Sequence, residues 1–246
     1  MRGFTAEWLA LREPADRAAR DPGLAQRFGA ALPPQATILD LGAGTGAHAR
    51  AMSEWVREQR WVLVENDPTL LALQPSEFDS VARDLADGLG DLPADGVAMA
   101  SLLDLAGATW LEQLAKWVAR RRVPLLAVLT VDGRRDYWPA DPEDAAVAAA
   151  FARDQRRDKG LGPAVGAAAS AMLAKNLARR CFSVSTAASD WRLGPGQSAL
   201  LAALVQGEAE AAKTPGWGRR RLAQIEAGRL RARIGHRDLL ALPPAS

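Results

Sequence analysis

The chain has little of what metal and disulfide chemistry needs: a single cysteine, Cys181, and two histidines, His48 and His236, among 246 residues. One cysteine excludes an intramolecular disulfide and any multi-cysteine zinc site, and so few histidines argue against a metal. No apolar run approaches the roughly 20 residues that span a bilayer. The opening segment MRGFTAEWLALREPAD lacks the apolar core and cleavage site of a secretory signal. The expectation is a cytoplasmic protein without a membrane partner. Charge of one sign is also missing: 31 basic and 29 acidic residues leave a net +2, which makes nucleic acid an unlikely partner. No repeat or low-complexity linker divides the chain, so a single domain over 1–246 is expected.

What is present is ordinary core material. Hydrophobic residues make up 48% and charged ones 24% of the chain, enough to bury a core without staples. The hydrophobic pattern predicts short apolar strands at 37–41, 61–65, 80–83, 97–102 and 125–131, separated by helices at 47–59, after Pro68, and at 109–121. Strands alternating with helices of that length imply βαβ units and a doubly wound, mostly parallel sheet with both faces covered. Before it, 5–11 and 15–32 read as helices, with Pro14 and the Asp21-Pro22-Gly23 turn as breaks. After it, 132–142 reads as a polar loop, followed by helices at 141–158 and 167–179. Then come a strand at 181–187, helices at 197–212 and 217–233, and a closing strand at 237–242. The partition is therefore an N-terminal helical cap (1–34), a cofactor-binding half (35–131), a helical insertion (132–180) and a C-terminal part of the sheet (181–246).

The most informative string is Ile38-Leu39-Asp40-Leu41-Gly42-Ala43-Gly44-Thr45-Gly46. Glycines after a strand allow a tight turn and a close approach of ligand to backbone. By themselves they fit any nucleotide-like cofactor, and Gly42 to Ala47 even matches the dinucleotide pattern G-x-G-x-x-G/A. Asp40 is more discriminating. A carboxylate at the strand end repels a pyrophosphate and attracts a cation; at ~4 Å and an effective dielectric near 20 such a pair is worth roughly 4 kcal/mol before desolvation. The sign favours a cationic, phosphate-free ligand over a nicotinamide dinucleotide.

ILDLGAGTG resembles the first motif of class I S-adenosylmethionine-dependent methyltransferases, an acid followed by G-x-G-x-G. The resemblance covers roughly residues 35 to 131 and implies a seven-stranded Rossmann-like sheet binding S-adenosyl-L-methionine around Asp40, Gly42, Ala43, Gly44 and Gly46. It also implies an acid on the ribose hydroxyls at the end of the second strand. Glu65 fits, with Asn66 beside it and Asp67 as rival. Asp84 and the Leu85 amide then fall where the adenine amine is contacted, although an acid after a strand is also an ordinary helix cap. Ser101 and Asp104 fall along the methyl-transfer cleft.

For the acceptor side, Arg12 in WLALREPAD and the cations Arg156 and Lys159 before KGLGP are the candidates, the latter pair suited to an anionic group. The competing reading is solvated helix faces. Methyl transfer asks mainly for alignment. His48, His236, Asp104 and Asp132 are candidate bases, and none is singled out. The leading reading is transfer of a methyl group to an oxygen or nitrogen of a small molecule. The alternatives are an RNA or protein methyltransferase, disfavoured by the lack of N-P-P-[YF] and of a basic domain, and a non-catalytic binder of the donor. No metal is expected.

Overall fold

The run Thr37–Leu41 forms β1, with Ile38 and Asp40 facing one side of the sheet and Leu39 and Leu41 the other. Around it the computed structural model, which describes residues 4–56 and 58–244, places α1 (Ala6–Ala19), α2 (Pro22–Ala30), α3 (Ala47–Met52), β2 (Arg60–Glu65), α4 (Pro68–Leu71), β3 (Asp79–Ala82), β4 (Gly96–Ala100) and α5 (Ala108–Arg121). There follow β5 (Leu125–Trp138), α6 (Asp144–Gln155), α7 (Ala169–Ala178), β6 (Ser183–Ala188), β7 (Trp191–Leu193), α8 (Ser198–Ala212), α9 (Pro215–Glu226) and β8 (Arg231–Leu242).

The strands lie in the order β3-β2-β1-β4-β5-β8-β6, with the short β7 paired to β8, so the sheet has eight strands where seven were expected. The pairings among β1 to β5 are parallel; β8 runs antiparallel to β5, β6 and β7. One face packs Leu39, Val64, Val97 and Met99 against α5 and α7. The other packs Ile38, Leu63 and Ala98 against Phe28 of α2 and Met52 of α3. Strands buried on both faces account for the near-continuous apolar runs.

Several expected boundaries need correction. Helix α1 does not break at Pro14 but runs through it. The ring removes one backbone donor, while Thr5 caps the helix start by accepting from Trp8 N–H and Arg12 pairs with Asp16 across one turn. Helix α3 stops at Met52, where the Ser53 hydroxyl donates to the Arg50 carbonyl. The expected polar loop 132–142 is mostly strand: β5 continues to Trp138, with register shifts between Ala127 and Thr130 and between Val131 and Arg135. Its charges alternate because Asp132 and Arg134 pair with each other while Tyr137 points into a third apolar cluster. Helix α9 ends at Glu226 rather than Arg233; Gly228, at φ +65°, turns the chain, and Arg231 already begins β8.

The third cluster, with Trp191, Leu193, Leu204, Val205, Trp217 and Ile234, lies under the outer halves of β5 and β8 and is covered by α8 and α9. The segment expected to be a helical insertion carries α6 and α7, and its first residues, 132–138, lengthen β5 into a sheet extension that β8 completes. Among the described residues no helix is long and apolar enough to cross a membrane.

Candidate functional site

Strand order reverses between β1 and β4, and at the carboxyl ends of these strands lies a cavity of about 700 Å³. Such a switch point leaves a crevice because the two neighbouring connections depart to opposite faces.

The floor is the loop after β1. Gly42 N–H and Ala43 N–H both donate to the Val64 carbonyl, at 2.9 and 3.1 Å. Gly42 and Gly44 sit at φ +64° and +55°, where a side chain is strained. A Cβ on Gly42 would come within 3.2 Å of Leu102, and one on Gly44 within 2.9 Å of Leu9. The glycines therefore keep open a surface that other residues would fill.

Glu65 at the tip of β2 holds this loop. Its Oε2 accepts from Gly44 N–H at 2.9 Å, and its Oε1 accepts from the N–H groups of Asn66 and Asp67 at 2.8 and 3.0 Å. An ionised carboxylate has about four acceptor positions, which leaves room for a further donor. Asp67 is occupied differently, capping α4 through Thr69 N–H.

Asp40 is fully buried, and neither carboxyl oxygen has a hydrogen-bond partner. Burial pushes its carboxyl up to about 8, against the pull of the Arg20 guanidinium and the Ala49 backbone N–H. His48 lies on the same floor with both ring nitrogens unpartnered, and burial, then the charge of Arg20, holds it neutral. An orphaned carboxyl beside a glycine cradle is what a site for a cationic ligand requires.

Helix α1 forms the wall over this floor. Arg12, Asp16 and Arg20, one turn apart, all face the cavity. Arg12 makes a two-pronged pair with Asp16 (2.9 and 3.1 Å) and also donates to the Ser101 hydroxyl after β4. A further part of the lip comes from Gln155 at the end of α6 and from Lys159, Gly160 and Leu161 beyond it. That segment is pinned by backbone bonds from Gly107 N–H to the Leu161 carbonyl and from Val165 N–H to the Ala106 carbonyl, 2.9 and 3.0 Å.

Of the residues expected to hold the cofactor, Asp40, Gly42, Ala43, Gly44, Glu65, Asn66, Asp84, Leu85 and Ser101 line the one cavity. Gly46 does not. It starts α3 behind the loop, where a Cβ would meet Leu63 and Pro75. Asp84 also serves as a cap, accepting from Ala86 N–H.

Of the residues expected on the acceptor side, Arg12 and Lys159 line the cavity, with Lys159 donating to Gln155. Arg156 is an exposed residue at the end of α6, outside the lining, because the chain turns there and carries only Lys159 inward. Asp104 lies buried behind the wall, and burial pushes its carboxyl up to about 6.

Among the candidate bases only His48 reaches the cavity. Asp132 is held by Arg134. His236 packs on Trp191 at 4.9 Å, driven down to about 3 by burial and then by the charges of Arg12 and Arg135. Asp16 and Arg20 were missed. Their signal was the four-residue spacing Arg12-Asp16-Arg20, legible only once Pro14 is allowed inside the helix.

No protein-family model and no curated protein matches the chain. Solved structures do. A cyclopropane synthase from Mycobacterium tuberculosis has a TM-score of 0.52 at 13% identity, over 97% of this chain and 94% of its own. A cyclopropane-fatty-acyl-phospholipid synthase-like protein from Lactobacillus casei has 0.53 at 14%, over 98% and 95%. A candidate methyltransferase from Bacillus halodurans has 0.54 at 14%, over 91% and 98%. The chain shares their Rossmann-like fold along nearly its whole length.

Proposed function

We propose that the chain is an S-adenosylmethionine-dependent methyltransferase acting on an oxygen or nitrogen of a small molecule. The observation that carries this reading is the convergence of the unpartnered Asp40 carboxyl, the Gly42–Gly44 cradle and Glu65 on one cavity at the switch point. Similarity in fold to a candidate methyltransferase supports it.

The residues present fit that donor. Asp40 supplies a carboxyl for an ammonium, and Glu65 keeps acceptor capacity for ribose hydroxyls. Asp84 and the Leu85 N–H stand along the wall where an adenine amine would be read. When bound, the donor supplies a methyl group already activated on a sulfonium. The protein's task is then alignment and exclusion of water. Leu9, Leu102, Leu105 and Leu161 dry the cavity, and the Arg12 bond to Ser101 closes α1 over it. His48, held neutral, can accept a proton but is a weak base, so an acceptor that arrives as a free amine or an acidic hydroxyl suits this site best. Lys159 at the lip favours an anionic group on that acceptor. A cytoplasmic setting is part of the same reading.

Calorimetric titration with S-adenosylmethionine and with NADH, on the wild type and on Asp40→Ala, tests the proposal. Micromolar binding of the methyl donor that the substitution abolishes is expected. Binding of NADH with no response to the methyl donor would overturn it.

A further inference from the structure

Arg20 has a place in the cavity that the loop motif does not account for. It ends α1, is 6% exposed and lines the cavity. Among the described residues its guanidinium has no hydrogen-bond or ion-pair partner, and its Nε is fully enclosed. Three acids act on it electrostatically, Asp16, Asp40 and Asp238, but none pairs with it. Asp16 is occupied by Arg12 and by the Trp191 indole N–H at 2.9 Å. Asp238 accepts from Asp21 N–H, Leu129 N–H and the Ser189 hydroxyl. Asp40 has no side-chain partner, and only the Ala49 backbone N–H pulls on its carboxyl besides Arg20 itself.

A guanidinium stays charged at working pH and is built to grip a carboxylate with two parallel N–H bonds. Buried and unpaired, it is a site for an anion. On the floor below it the Asp40 carboxyl is also without a side-chain partner, and His48 adds no charge of its own. A fixed cation next to a free carboxyl complements an α-amino acid end, with carboxylate to Arg20 and ammonium to Asp40.

Resting on the donor reading above, we infer that Arg20 binds the carboxylate of the donor's amino-acid end, and that Arg20 and Asp40 together read it as a zwitterion. The residue is supplied by the N-terminal helix rather than by the glycine loop, so donor binding also fastens α1 to the sheet.

Three ligands separate this assignment from the reading it rests on: S-adenosylhomocysteine, its decarboxylated analogue, and 5′-methylthioadenosine, which lacks the amino-acid end altogether. For the wild type, removing the carboxylate alone is expected to weaken binding about 10- to 100-fold, the range for hydrogen bonds to a charged group. For Arg20→Met, affinity for S-adenosylhomocysteine should fall by a similar factor, while 5′-methylthioadenosine stays within about threefold and reports an intact fold. Arg20→Lys should recover part of the loss, because charge returns without the fork.

Equal affinity of the wild type for the carboxylated and decarboxylated ligands would overturn the assignment, even if Arg20→Met fails to fold. So would a loss of all three ligands in parallel in a folded variant. If the wild type binds neither S-adenosylhomocysteine nor 5′-methylthioadenosine, the donor reading itself falls and takes this assignment with it.

Discussion

The guanidinium of Arg12 lies 5.0 Å from the centre of the Trp191 indole, and that indole donates at 2.9 Å to Asp16, the partner of Arg12. This closed triangle fastens α1 to β7, so the wall over the cavity is tied to the far side of the sheet.

Trp191→Phe keeps the ring and removes the donor to Asp16. It should lose about 1 kcal/mol, the net worth of an ordinary buried hydrogen bond. Arg12→Met leaves Asp16 buried without its cation and should lose roughly 3 to 5 kcal/mol. Denaturant unfolding of the two variants checks the ordering, and equal losses would show that the ion pair contributes nothing beyond the indole.

Asp40 gives a pH signature. Burial pushes its carboxyl from the ordinary 3.8 up to about 8 in the folded protein. Stability from this group is therefore fully present below about pH 4 and is lost as pH rises, by roughly 1.4 kcal/mol per unit, until it levels above about pH 8. Asp40→Asn removes the titration. Its melting temperature should gain on the wild type steadily from pH 5 to 8 and hold that lead at pH 9. A pH-independent difference would mean that Asp40 is ionised in the free protein.

The same carboxyl makes donor binding release protons. An arriving ammonium favours the ionised form, so between pH 6 and 7.5 the affinity for S-adenosylmethionine should rise with pH. Calorimetry in buffers of different ionisation enthalpy counts the protons released, and none are expected with Asp40→Asn.

Gly44→Ala meets two obstacles, a left-handed φ and the Leu9 side chain 2.9 Å from the new Cβ. The strain alone is on the order of 1 to 3 kcal/mol. Leu9→Ala in the same chain should relieve the contact and leave the strain, so the double variant recovers part of the stability. Full recovery would show that the backbone conformation carries no strain.

The floor of the cavity was legible because its signals are local. A strand, three glycines and an acid at the end of each of the first three strands fall within 35–101, and their order fixes their place at the switch point. The rest depends on long-range pairing. The polar alternation of Asp132, Arg134 and Asp136 reads as loop until β8 lies opposite it. Pro14 reads as a break because the ties that hold the helix around it come from Arg50, Ser101 and Trp191, distant in sequence. Arg156 and Lys159 are equivalent on paper; only the turn after α6 separates an exposed cation from one at the cavity.

Under the outer sheet, Glu208 on α8 accepts from Arg135 and, at 2.9 Å, from the Tyr137 hydroxyl, all three buried or nearly so. Glu208→Ala would leave the Arg135 charge enclosed against Phe151, and a loss of about 3 to 5 kcal/mol is expected. Glu208→Gln keeps an acceptor and should lose less. If the two lose the same amount, the pair is not electrostatic in origin.

Strand β5 begins between β4 and β8 in the central sheet and ends in the core under α8 and α9. The outer lobe is thus grown from the sheet as a lengthened antiparallel pair, β5 with β8, rather than joined to it by a tether. Both strands run unbroken from the central sheet into the outer lobe, so a melt is expected to show one calorimetric transition. For engineering, the outer lobe behaves as a cantilever. Changes at its base, near Thr130 and His236, should be felt at Ser101, which is bonded to Val128 and Leu129, whereas its tip can be remodelled with the donor floor left alone.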